Sequence, residues 1–303
     1  MAKQLSDIGE FGLIKEIAKL VHTGKNVIKG IGDDAAVIKY KKDSYLLATT
    51  DMLIEGVHFK LSQASPYLIG RKAIAVNISD IAAMGGIPKY AVVALGMSSA
   101  LKVSFAKELY KGMEELGKKF GVIIVGGDTN SSGRLIISVS LIGEVEKNHV
   151  VFRNGAKIGD SIFVTGSLGG TYTSKRHLEF TPRLREARYL VSNFRINSMI
   201  DISDGLASDL TQIAEASGVG AYVEEKLIPI NKKCNIANAL FDGEDFELLF
   251  TISENRVKAL VKKWPYKIKL SKIGKIASDK GLVEFVGKGG DKENIYGKGF
   301  RHF

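Results

Sequence analysis

Cysteine, proline and tryptophan are scarce: the 303 residues include one Cys, five Pro and one Trp. A lone Cys234 excludes an internal disulfide and any multi-cysteine zinc or iron–sulfur site. No apolar run approaches the ~20 residues needed to span a bilayer. The first 22 residues carry charges throughout and show no signal-peptide core. There is no G-x-x-x-x-G-K-[ST] phosphate loop and no protein-kinase motif set. Carboxylates spaced for an EF-hand are also missing. No short repeat or low-complexity segment interrupts the chain. These absences leave a cytoplasmic protein of enzyme size, with no membrane partner expected.

What is present is glycine, 33 residues, which suits many tight loops between regular elements. Lys and Arg outnumber Asp and Glu by 43 to 33, giving a net charge of +10. The basic residues are scattered, so they read as a solvated lysine-rich surface. No aromatic–basic motif of a nucleic-acid binder accompanies them, and no nucleic-acid partner is expected.

Strand and helix patterns alternate, which indicates an α/β (α+β) chain of two domains. Leu13, Ile14, Ile17, Leu20 and Val21 fall on one face of a helix over 11–22. Residues 35–40 and 45–50 read as strands around a Lys-Lys-Asp turn, and Ser65-Pro66 starts a helix that stops at Gly85-Gly86. Residues 91–97 read as a buried strand. A polar interruption over 146–153 divides domain 1–148 from domain 149–303.

Acidic residues recur at the ends of apolar segments, beside Gly or a hydroxyl. The segments are GIGDDAAV (Asp33, Asp34), ATTDMLIEGVHF (Thr49, Thr50, Asp51, His58), AVNISDIAAMGG (Asn77, Asp80), VGGDTN (Asp128) and DISDGLASDL (Asp201, Ser203, Asp204, Asp209). Singly, an Asp after a strand is usually a turn or cap residue. Asp209 reads as helix surface. Jointly, strand ends in an α/β sheet converge on a ligand crevice. Carboxylates about 4 Å apart repel by ~4 kcal/mol per pair at an effective dielectric near 20, so convergence demands cations. All-oxygen donors select hard ions such as Mg²⁺, Mn²⁺ or Ca²⁺, and several such ions imply a polyanionic partner, most naturally a nucleoside triphosphate.

These segments, with GEDFELLF further on, occur in the order seen in thiamine-monophosphate kinases, and the sequence resembles that family over nearly its whole length. The resemblance implies transfer of the γ-phosphoryl of ATP to thiamine monophosphate, in line and assisted by several Mg²⁺ ions, without an acid or base residue. It implies an N-terminal mixed β-sheet domain that binds ATP and Mg²⁺ and pairs in a homodimer barrel. A C-terminal α/β sandwich domain would close the substrate cleft. By motif match, Asp34, Thr49, Thr50, Asp51, Asp80, Asp128, Asp201 and Asp204 would bind metal. Tyr110, Gly127, Asp128, Arg153 and Ser203 would bind ATP, Arg153 reaching phosphate across the cleft. His58, Glu244 and Tyr296 would bind thiamine monophosphate, with Trp264, Phe300 and Phe303 as other aromatic choices. Asn77 has two readings, a substrate contact or a cap or helix–helix hydrogen bond, and Asp33 either orients its neighbour or binds through water.

Related families fit less well. A selenophosphate synthetase would carry a reactive Cys in its N-terminal Gly-rich segment, and a hydrogenase-maturation protein a C-terminal Cys. The lone Cys234 matches neither, whereas GEDFELLF and TTDMLIEGVHF fit the thiamine enzyme better than an amidine-forming synthetase.

Overall fold

A computed structural model describes residues 4–300. Helix α1 (Leu5–Leu20) comes first, kinked at Gly9. The apolar stripe expected to face a core does not reach one: no residue of α1 is buried, and Leu20 is 85% exposed. Periodicity identifies a face but supplies nothing for it to pack against.

The N-terminal sheet contains β1 (Val27–Lys29), β2 (Ala36–Lys39), β3 (Ser44–Ile54), β4 (Ile87–Met97), β5 (Ile123–Ser131) and β6 (Ile136–Glu146). Its order is β1-β2-β3-β6-β4-β5, antiparallel except for the β4–β5 pair. Helices α2 (Pro66–Ala83) and α3 (Val103–Phe120) form its other layer. Ser65 caps α2 by accepting the Leu68 N–H at 3.3 Å, and Pro66 occupies the first helical turn. Among the described residues, only one face of the sheet is covered. In β4, Ala91, Val93 and Leu95 are buried while Val92 and Ala94 are exposed, so the expected buried strand is buried on one side.

Helices α2 and α3 cross backbone to backbone. A Cβ on Gly70 would lie 1.9 Å from the Leu109 carbonyl oxygen, and one on Gly112 would lie 1.9 Å from that of Tyr67. Glycine is therefore required at this crossing. From Ile69 to Ala83, α2 is buried at all but two positions, because it also packs against the second half of the chain.

That half comprises β7 (Ser161–Thr165), α4 (Arg176–Glu179), α5 (Leu184–Asn193), β8 (Ser198–Asp201), α6 (Leu206–Ser217), β9 (Gly220–Glu224), α7 (Ile236–Phe241), β10 (Leu248–Ile252), α8 (Glu254–Lys263), β11 (Leu270–Ala277), β12 (Val283–Val286) and β13 (Lys292–Asn294). Its sheet runs β13-β12-β9-β11-β7-β10-β8 and is covered on both faces. Phe163, Met199, Leu248 and Phe250 join the core shared with α2. Ile162, Val164, Ile200 and Leu249 alternate to the opposite face and pack with Leu206, Leu210 and Ile213 of α6. The expected α/β architecture is present, with α2 between the two sheets. Among the described residues, no helix is long and apolar enough to cross a membrane.

Candidate active site

Four acidic motifs deliver carboxylates to one place. Asp34 precedes β2, Asp51 lies within β3, Asp80 in the last turn of α2, and Asp201 ends β8. One oxygen from each of Asp34, Asp80 and Asp201 lies within 4.8 Å of the others. Strand alternation turns Thr49 and Asp51 to the α2 side of the sheet. There Thr49 Oγ1 donates to Asp80 Oδ2 at 2.5 Å, and Asp51 shares a hydrogen bond with Asp80. Ser79 Oγ donates to Asp201 Oδ2 at 2.5 Å, so α2 grips the end of β8.

Burial and mutual repulsion raise the carboxyl pKa values here. Burial, then the Asp34 charge, pushes Asp201 up to about 8. Burial pushes Asp51 up to about 6, and the Asp34 charge adds to the rise. Burial, then Asp34, raises Asp33 to about 6. Asp80 rises well above the ordinary range through burial and the charges of Asp51, Asp201 and Asp34. Burial also raises Asp34, against the pull of Arg153.

Arg153 does not reach into an open cleft. Its guanidinium donates to Asp34 Oδ1 from Nε (3.3 Å) and Nη2 (2.6 Å), while its backbone N–H donates to Asp33 Oδ1 at 3.0 Å. Asp34 Oδ2 is buried without a hydrogen-bond partner among the described residues. This donor set of clustered carboxylates, a hydroxyl and an unbonded carboxylate oxygen fits a hard divalent cation such as Mg²⁺.

The remaining expected residues divide by position. Ser203 and Asp204 follow Asp201 at the head of α6. Asp209 is not surface: it is 2% exposed, accepts the Asp204 N–H at 3.1 Å, and is raised well above the usual range by burial and by Asp204. The helical period placed it on α6 but not on the covered side. Thr50 turns to the opposite face of β3, where its hydroxyl contacts Val139 O and Ser140 Oγ, both at 3.2 Å. Asp128 lies on the exposed edge strand β5, in register with Ala94, which pairs with Ser138 and so with Met52; this is the face away from α2. Its carboxylate accepts from Asn130 Nδ2 at 2.6 Å. At Gly127 a Cβ would come within 1.9 Å of the Val93 carbonyl oxygen. Tyr110 is half-buried against the core beneath α3. Asn77 is fully buried; its amide donates to Ala73 O at 3.1 Å within α2 itself, neither a cap nor a bond to another helix, while its Oδ1 has no partner among the described residues.

His58 and Glu244 come together through Lys72 of α2, a residue with no exposed surface. Lys72 Nζ donates to the His58 carbonyl (2.9 Å) and to both Glu244 oxygens (2.7 and 2.8 Å). In the sequence Lys72 gives one signal, a charge inside the apolar run of α2. The other GEDFE acids are structural: Asp245 binds Arg176 (2.6 Å) and the Gly169 N–H, while Glu247 binds Arg183 (2.6 Å) and Thr165 (2.7 Å). Tyr296 packs on the α6 core, away from this group, beside Glu215 and Lys15. Phe300, 43% exposed, lies nearer the acids, with its N–H on the Asp204 carbonyl at 3.1 Å. Trp264 sits among Tyr189 and Tyr266, and Phe303 lies outside the described residues.

Residues 32–145 match the family of AIR synthase related proteins over its N-terminal domain, and residues 157–287 over its C-terminal domain. The thiamine-monophosphate kinase of Bacillus subtilis is 40% identical over 279 residues, covering 83% of this chain and 86% of that protein. The chain belongs to the thiamine-monophosphate kinase family. The Aquifex aeolicus kinase is 34% identical across 99% of this chain and 100% of its own length. The family's solved AaThiL complexed with AMPPCP and TMP is also 34% identical and covers 100% of both chains with a TM-score of 0.86. Hydrogenase maturation protein HypE in complex with ATP, at 20% identity and a TM-score of 0.70 over 86% of this chain and 87% of its own, shares the fold.

Proposed function

We propose that this protein phosphorylates thiamine monophosphate with ATP, giving thiamine diphosphate and ADP. The observation that carries this reading is the gathering of Asp34, Asp51, Asp80 and Asp201, drawn from four segments and both sheets, around one point. Sequence kinship with named thiamine-monophosphate kinases and the likeness to a family structure holding AMPPCP, an unreactive ATP analogue, support it.

In this reading, an oxygen of the acceptor phosphate bonds to the γ-phosphorus. The bond to the β–γ bridging oxygen breaks, and its electron pair leaves on ADP. A phosphate monoester is already an anion near neutral pH, so no side chain need remove a proton. Asp34, Asp51, Asp80 and Asp201, with Thr49, would hold Mg²⁺, and the ion would supply charge neutralisation for the phosphoryl group in transfer. Arg153, bound to Asp34, and Ser203 are nucleotide-side assignments, Asp204 extends the acidic set, and Glu244 and His58 would take the organic end of the acceptor. Tyr110, Gly127 and Asp128 remain nucleotide-side assignments, with Thr50 and Asp128 as further metal ligands presented from the open face of the sheet. Phe300 replaces Tyr296 as our choice of aromatic, because it lies beside Asp204. The N-terminal half would carry nucleotide and metal, and the C-terminal half would close over the acceptor. Incubation with ATP, Mg²⁺ and thiamine monophosphate should give thiamine diphosphate and ADP one for one. Release of inorganic phosphate without the diphosphate would sink the reading.

We further infer a homodimer through the N-terminal sheet. Its open face exposes Met52 (52%), Tyr90 (50%) and Val92 (44%), next to the uncovered edge strand β5. Apolar faces and unpaired edges of this kind mark association surfaces. Sedimentation equilibrium should show a dimer for the wild type and a monomer for Val92→Asp. A wild type monomeric at micromolar concentration would refute it.

A further inference from the structure

Segment 243–247 departs from ordinary backbone geometry. Gly243, Glu244 and Phe246 have φ of 72°, 53° and 49°. Such left-handed non-glycine residues cost about 1–3 kcal/mol each and persist where their surroundings over-determine them. The Glu244 N–H binds Ser203 O (2.7 Å), the Phe246 N–H binds Ile202 O (2.8 Å), and the Phe246 ring stacks on Phe180 with centroids 4.2 Å apart. The effect is to aim one carboxylate, Glu244, at α2.

The neighbours describe the arrangement. Lys72 Nζ reaches His58 O and the two Glu244 oxygens and lies 3.0 Å from His177 Nδ1. His177 Nδ1 is also 3.0 Å from Glu244 Oε2. A carboxylate offers about four lone-pair positions. Oε2 has two of these neighbours, Lys72 and His177, whereas Oε1 has Lys72 and keeps one position. Tyr172, 38% exposed, stacks on the His177 ring with centroids 4.6 Å apart and continues the wall outward. Asp51 is the other charge that Lys72 faces. Burial draws Glu244 upward, but the His177 hydrogen bond and the Lys72 charge outweigh it, so the carboxyl stays below its ordinary range.

We propose that Lys72 is a positioning residue for acceptor recognition: from inside α2, with His177, it holds Glu244 so that Oε1 presents one acceptor position to an N–H of the substrate's aminopyrimidine. This rests on the assignment of Glu244 to thiamine monophosphate. Removing Lys72 leaves the hydrogen bonds among the aspartates in place, although it withdraws a charge that Asp51 faces, and it loosens the carboxylate that selects the acceptor.

The test is steady-state kinetics on the full chain for Lys72→Met, Glu244→Gln and the double variant. Lys72→Met should raise KM for thiamine monophosphate about 10–100-fold, the range seen when a supporting partner of a binding group is lost. KM for ATP should move less than about threefold on the same footing. The double variant should be no worse than the poorer single variant, because both changes disable one device. It also replaces an ion pair by a neutral pair, so it should melt cooperatively even if Lys72→Met alone does not fold. Equal rises in both KM values, multiplying effects in the double variant, or failure of the double variant to fold would each overturn the proposal. A wild type that makes no thiamine diphosphate would instead sink the underlying activity.

Discussion

Asp51→Asn is expected to lower kcat by about 10²–10³-fold, the usual consequence of deleting one preorganised electrostatic group at a reacting centre. In chelator at pH 8 the same variant should melt at a higher temperature than the wild type. Both effects have one cause. Asp51 is held against Asp80 and faces Asp34, and all three are buried or half-buried. Repulsion between such charges amounts to ~4 kcal/mol per pair at 4 Å and an effective dielectric near 20. Substituting the isosteric amide relieves it but removes a proposed ligand. Stopped assays of diphosphate formation and a thermal melt check the two halves. A kcat within twofold of wild type would remove Asp51 from the metal site.

The second large effect is the response of stability to pH and Mg²⁺. A carboxyl near 3.8 when unfolded that rises to about 6 (Asp33, Asp51) or about 8 (Asp201) binds its proton more tightly in the folded state. Its contribution is complete below pH ~4 and is lost as pH climbs through 6 to 8. In EDTA the melting temperature should therefore fall across that window. Mg²⁺ binds deprotonated carboxylates, so it should restore about 5 °C or more at pH 8 and little at pH 5. Asp201→Asn should flatten the EDTA profile. A Mg²⁺ shift as large at pH 5 as at pH 8 would contradict the cluster's assignment.

Much of this centre was legible before folding. Asp34, Asp51, Asp80 and Asp201 follow or end apolar segments, and strand or helix ends meet where sheets face a shared helix. The boundaries of α2 were legible too, since Ser65-Pro66 and Gly85-Gly86 punctuate by their own backbone preferences. What stayed hidden depended on which face is covered. Thr50 and Asp128 fall on the open side because α2 and α3 lie on the other, a choice no period of two contains. Asp209 and α1 are the same failure in opposite directions: one polar residue is buried and one apolar stripe is not. Lys72 was invisible because its partners, Glu244 and His177, are 172 and 105 residues away.

Helix α2 also acts as a measuring rod. Lys72 and Ser79 are seven residues apart, so they lie on one side of the helix, about 10.5 Å from each other along its axis. One is bolted to Glu244 and the other to Asp201. The spacing between Glu244 and the aspartate cluster, and so between the proposed acceptor and cation sites, is thus set by helical pitch rather than by the loops that carry those two acids. Loop insertions elsewhere should leave that gauge intact, whereas one residue added between Lys72 and Ser79 would rotate the two fastenings by about 100° relative to each other.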